Sequence, residues 1–127
     1  MQLPTRGPKV EAHNRMISRE QSFWFFISEK TQRVKVSCTG LGPLLLAYTN
    51  EKNAERIREQ FFSDSFACHL DDIDMAGFFE VIIGNPANKG IKGILLDVPR
   101  EMIAGDKDFV TNDELLQYVF LAEEMGL

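Results

Sequence analysis

Residues Phe23 to Ser28 carry bulky side chains on both faces of any strand they form, and no other segment narrows the fold so far. Phe23, Phe25 and Ile27 alternate with Trp24, Phe26 and Ser28. Successive side chains of a strand point to opposite faces of its sheet. Two apolar faces therefore call for cover on both sides, as in the central strand of a layered fold. The next segment differs. Val34, Val36 and Cys38 alternate with Arg33, Lys35 and Ser37, so one face is wet and the strand belongs toward a sheet edge. Glu29 to Thr31 is short enough to join the two as an antiparallel hairpin.

Past the break at Gly42-Pro43 the period alternates. Leu44 to Tyr48 reads as a buried strand. Ala54, Ile57 and Phe61 then fall at helical spacing opposite a charged face, with Thr49 or Asn50 as the cap. Phe66, Cys68 and Leu70 alternate again. Met75, Phe78, Phe79, Ile82 and Ile83 form a second helical stripe, stopped at Gly84. Ile91 to Val98 is the last predicted strand, ended by Pro99. Thr111 and Glu114 make a capping box, and Leu115 to Met125 is predicted as a final helix. Residues 1–20 read as a flexible lead-in holding a short helix over 14–20, and residues 21–127 as a single α/β domain. The fold class expected is α/β (α+β): a mixed sheet with an N-terminal antiparallel hairpin, a β-α-β-α-β core and a C-terminal helix.

A chain of 127 residues can bury a sizeable core without a metal or disulfide. Its formal net charge of -5 argues against nucleic acid, which needs a clustered basic surface. The longest apolar runs are far shorter than the roughly 20 residues a membrane helix needs, so no membrane partner is expected. The first 20 residues contain no secretory apolar run. Cys38 and Cys68 lack metal spacing and read as free, buried thiols of a cytoplasmic protein.

Candidate chemistry is sparse. Asp71, Asp72 and Asp74 follow a predicted strand, with His69 just before them and Asp97 near the end of the last strand. Were those strands parallel neighbours, His69, Asp71 and Asp97 would meet at the carboxyl edge of the sheet, where open α/β sheets place ligands. Such oxygen ligands suit Mg²⁺. Helix capping accounts for the same acids without any ligand. The loop from Gly84 to Gly90 holds glycines and a lysine but opens no helix, so it is not a phosphate loop. Cys68 and His69 are adjacent and point to opposite faces, which removes the nearest Cys/His pair. No cofactor motif occurs. The final apolar stripe is wider than one helix face needs, and Leu116, Phe120 and Leu121, together with Trp24, are the interface candidates.

The stretches "GPLLLAYTNEKNAERI", "FACHLDDIDMAGFFEVI" and "GNPANKGIKGILLDVP" resemble the N-terminal domain of the SseB family, named for enhanced serine sensitivity. The resemblance covers about residues 21–100 and rests on the order of elements. It implies a mixed α/β domain in a cytoplasmic bacterial protein. It carries over no active-site residue. The leading expectation is a non-enzymatic protein-interaction or regulatory domain, with a protein partner or a second copy of itself. The alternatives are a small metal- or phosphate-handling enzyme at the acidic cluster, and a small-ligand-binding module with a cavity lined by phenylalanines.

Overall fold

A computed structural model describes residues 9–104 and 113–127. Helix α1 (Lys9–Ser18) precedes strand β1 (Gln21–Ser28). Strands β2 (Val36–Thr39) and β3 (Gly42–Ala47) follow, then helix α2 (Glu51–Phe61), strand β4 (Ser65–Ile73) and helix α3 (Met75–Ile83). A single 3-10 turn, Pro86–Asn88, leads to β5 (Gly93–Leu96). The short helices α4 (Arg100–Ala104) and α5 (Asp113–Leu116), strand β6 (Val119–Leu121) and a 3-10 turn at Ala122–Met125 complete the chain. The mixed α/β class and the β-α-β-α-β succession from β3 to β5 are as expected. The opening helix begins at Lys9 rather than residue 14. It seats Met16 and Ile17 against the core. The N-terminal part of the lead-in, residues 1–8, and Thr111 of the capping box lie outside the described residues.

Two ladders are joined side by side. β1 pairs antiparallel with β4. β3 pairs antiparallel with β2 and parallel with β5, which pairs antiparallel with β6. Trp24 N–H donates to the Tyr48 carbonyl at 2.7 Å, and Tyr48 N–H returns the bond at 2.9 Å. Lys35 lies between the ladders at the other end: its N–H donates to Phe26 O and its carbonyl accepts from Leu46 N–H. The strand order is thus β4-β1-β3-β5-β6, with residues 33–35 wedged between β1 and β3.

Both faces of this layer are covered, as β1 requires. On one face Phe26, Leu44, Leu46, Tyr48, Leu95 and Val119 pack under Ala54 and Ile57 of α2. On the other, Phe23, Phe25, Leu45, Ile94 and Phe120 pack under Met75, Phe78, Phe79 and Ile82 of α3. The rings of Phe23 and Phe78 stack at 4.6 Å. Asn50 caps α2 by accepting from Asn53 N–H, and Asp74 caps α3 by accepting from Gly77 N–H.

The expected opening hairpin is reduced to the Ile27–Val34 bridge, because β2 turns away to pair with β3 and β1 takes β4 as its partner. Three further expectations are corrected. The predicted C-terminal helix over Leu115–Met125 is a four-residue helix, a turn, strand β6 and a 3-10 turn. Val119 and Leu121 go to one face and Phe120 to the other, so the over-wide stripe is the two-faced pattern of a buried strand. Second, β4 is not a neighbour of β5. It lies outside β1, where Ala67, Cys68 and Leu70 pair with Phe26, Phe25 and Phe23. Third, the thiols are free but not buried: Cys38 is exposed and Cys68 half-buried, where desolvation raises its pKa. In β2 it is Ser37 that is buried, and its hydroxyl has no hydrogen-bond partner. A buried hydroxyl without a partner keeps its desolvation cost. Ser37→Ala should therefore stabilise the fold by about 1 kcal/mol, read as a higher urea midpoint at unchanged slope.

Candidate functional site at the carboxyl rim of β3 and β5

The parallel pair β3 and β5 ends at a joint that no local pattern announces. Asp97 N–H donates to Ala47 O at 2.9 Å and continues the ladder by one residue. Asp97 then turns into left-handed backbone, at φ 53°. Few non-glycine residues adopt that conformation, and aspartate is among those that tolerate it. Its side chain reaches back across the strand gap. Thr49 N–H donates to Asp97 Oδ1 at 2.8 Å, and the Thr49 hydroxyl donates to Oδ2 at 2.6 Å. One residue on, the Tyr48 hydroxyl donates to Val98 O at 3.0 Å. Both strand ends are thus tied by side-chain bonds as well as by the ladder. Thr49 is consequently unavailable as the cap of α2, and Asn50 takes that role.

A cleft of about 630 Å³ opens on this joint. Tyr48 and Asp97 form its floor. Asn53, Arg56 and Gln60 line one wall, and their i, i+3, i+7 spacing places them on one stripe of α2. Pro99, Arg100 and Glu101 line the other, with Glu59 at the border. Among the described residues neither Arg56 nor Arg100 forms an ion pair. The cavity mixes polar and charged side chains with Tyr48, Ile57, Val98 and Pro99, and no phenylalanine lines it, unlike the one considered from sequence. Its position outside the carboxyl ends of parallel strands is the usual ligand position of open α/β sheets.

Asp97 can be tested without a ligand. Asp97→Ala removes both bonds to Thr49 and leaves alanine in left-handed backbone, so it should cost about 2–3 kcal/mol. Asp97→Gly loses the same bonds and relieves the backbone, so it should recover about 1 kcal/mol of that loss. Chemical denaturation of both variants separates the two contributions.

Tyr48 gives a pH signature. Burial, and secondarily the Asp97 charge, push its phenol well above its usual 10.0. The unfolded phenol ionises near pH 10 while the folded one stays neutral, so the unfolded state binds fewer protons above that pH. Stability is unaffected below pH 10 and falls by up to about 1.4 kcal/mol per pH unit above it. Tyr48→Phe should flatten this alkaline fall.

The other sequence candidates are placed as follows. His69 and Asp71 come together, 3.4 Å apart at the exposed rim of β4. Asp71 accepts from the Ser22 hydroxyl at 2.6 Å, and Asp72, at φ 52°, sits where the β1–β4 register shifts. Asp97 is not with them. β1 and β3 lie between β4 and β5, and three strand spacings make roughly 14 Å. Among the described residues no group of three or more His, Cys, Asp and Glu side chains could hold a metal ion. The acids serve the fold instead, at the bulge of β4, the cap of α3 and the joint of β3 with β5. Of the interface candidates, Phe120 and Leu121 are only 5% and 7% exposed, inside the chain's own core. The His13 ring stacks on Phe120 at 4.0 Å, and His13 Nε2 bonds Glu124. Trp24, stacked on His69, and Leu116 are half-buried. Sequence reasoning missed Thr49, Arg56 and Arg100, because the joint spans 48 residues. The run Leu-Asp-Val-Pro at the end of β5 is the one local hint of a turn there.

No helix among the described residues is long and apolar enough to cross a membrane. No protein-family model, curated protein or solved structure matches this chain.

Proposed function

We propose that this chain is a non-enzymatic binding domain and that the cleft at the carboxyl rim of β3 and β5 is its binding site. The observation that carries the reading is the Thr49–Asp97 joint. A left-handed residue with both carboxylate oxygens engaged lines a cavity of about 630 Å³. Backbone strain held by its surroundings clusters at functional sites, and binding pockets are mostly pre-formed. The reading is non-enzymatic because no histidine, cysteine or serine lines the cleft. The one aspartate in its lining, Asp97, is held by Thr49 through both carboxylate oxygens. β3 running into α2, and β5 followed by Pro99, favour kinship with SseB N-terminal domains and hence a cytoplasmic setting.

A thermal-shift screen of polar metabolites tests the reading, because a ligand of the folded form alone raises its melting temperature. Asn53→Trp, at an exposed position of the cleft wall, should abolish any such shift without altering the unliganded melting temperature. A ligand whose shift survives Asn53→Trp would place the site elsewhere.

A second reading is contact with a protein or another copy of the chain. It is favoured by Val81 and Ile83 on α3, exposed at 56% and 36%. Sedimentation of the wild type against Val81→Glu decides it. A monomer in both excludes self-association.

A further inference from the structure

The charges of the cleft restrict what it can take. Two guanidinium groups, Arg56 and Arg100, line it from opposite walls, and neither is neutralised by a carboxylate within the described residues. An arginine in a pocket presents five donors suited to a phosphate or carboxylate. An anion alone would be poorly served, because Glu59 and Glu101 border the same space. Those carboxylates are acceptors only, so their partners must bring donors. Hydroxyl groups do so without adding positive charge against the arginines. Asn53 and Gln60 add amides that both donate and accept.

From this lining, and resting on the cleft being the binding site, we propose that the ligand is a phosphorylated polyol. Arg56 and Arg100 hold the phosphate, Glu59 and Glu101 accept from the hydroxyls, and the two amides both accept from and donate to them. Asp97 stays with Thr49 and contacts the ligand only through the backbone it positions. The cavity is large enough for a sugar phosphate or for the ribose phosphate of a nucleotide.

Titration calorimetry at constant ionic strength tests this with four probes: ribose 5-phosphate, adenosine monophosphate, ribose and inorganic phosphate. Ribose 5-phosphate should bind at least tenfold more tightly than ribose or inorganic phosphate alone. Arg56→Gln and Arg100→Gln should each weaken it by about tenfold, the loss of one charge-assisted bond. Because both arginines are exposed, the variants should keep the wild-type melting temperature. Tighter binding of the nucleotide than of the sugar phosphate assigns the ligand to nucleotides, and the reverse assigns it to free sugar phosphates. If neither phosphate ester binds more tightly than inorganic phosphate, the ligand class is overturned. If uncharged or cationic compounds give thermal shifts that Asn53→Trp removes, the class falls and the cleft stands. If no compound does, both fall.

Discussion

Gly93→Ala should abolish the pairing of β6 and lower the melting temperature by on the order of 10 °C. A Cβ at position 93 would lie 2.3 Å from Phe120 O and 2.8 Å from Leu121 Cα, both backbone atoms of β6. A flexible side chain could swing aside, but a paired strand cannot. Relief requires β6 to move off β5 by most of an ångström, which breaks the ladder that runs from Gly93↔Leu121 to Leu95↔Val119. Overpacking of this kind costs about 3 kcal/mol or more. Gly90→Ala is the control. Gly90 has φ 98° and open space around its missing Cβ, so only the backbone conformation is penalised, at roughly 1–2 kcal/mol. Thermal denaturation of the two variants compares them directly. An equal small loss in both would show that β6 does not approach β5 this closely.

Phe78→Ala is the second large effect. Phe78 is fully buried at the middle of α3, stacked on Phe23 and tilted against Phe25. Its removal takes a ring from the contact between α3 and the central strand, where neither neighbour can collapse without leaving its own rotamer. The expected cost is about 3–5 kcal/mol, as for buried aromatic truncations generally. Val81→Ala, on the exposed face of the same helix, should cost less than about 0.5 kcal/mol. Urea denaturation of the pair tests the orientation of α3, since a helix turned by half a turn would reverse the order.

Much of this arrangement is legible from residue spacing. β1 needs cover on both faces because Phe23, Phe25 and Ile27 oppose Trp24 and Phe26, and α2 and α3 supply it. The stripe from Met75 to Ile83 reads as α3 at its observed bounds, since five apolar residues at helical spacing leave little room for another period. β6 is not legible. Leu115 and Val119 stand four apart, as in a helix, so a strand of three residues beside a one-turn helix imitates a longer helix. The place of β4 depends on which strand it pairs with, and its alternation fits either side of the sheet. The acids after it are legible as structural residues, although Asp74 is the cap and Asp72 the bulge.

The candidate site is the least legible part. Asp97 stands out by its place at a strand end, but the sequence suggests partners on the wrong strand. Its true partner, Thr49, is 48 residues away and looks like a cap. Arg56 and Arg100 have no local pattern to mark them. They acquire meaning only when β3 and β5 lie side by side and bring α2 and the start of α4 to one edge.

The binding reading and the proposed ligand both require the rim of β3 and β5 to be rigid before anything binds. Hydrogen exchange at the Thr49 amide measures this most directly, because that N–H donates to a side chain and to no strand partner. In the unliganded wild type it should exchange nearly as slowly as Leu46 and Leu95 in the core strands, and in Asp97→Gly it alone of the three should become fast. A Thr49 amide that exchanges at loop rates in the wild type would mean that the joint is not formed in solution, and the cleft built on it would lose its floor.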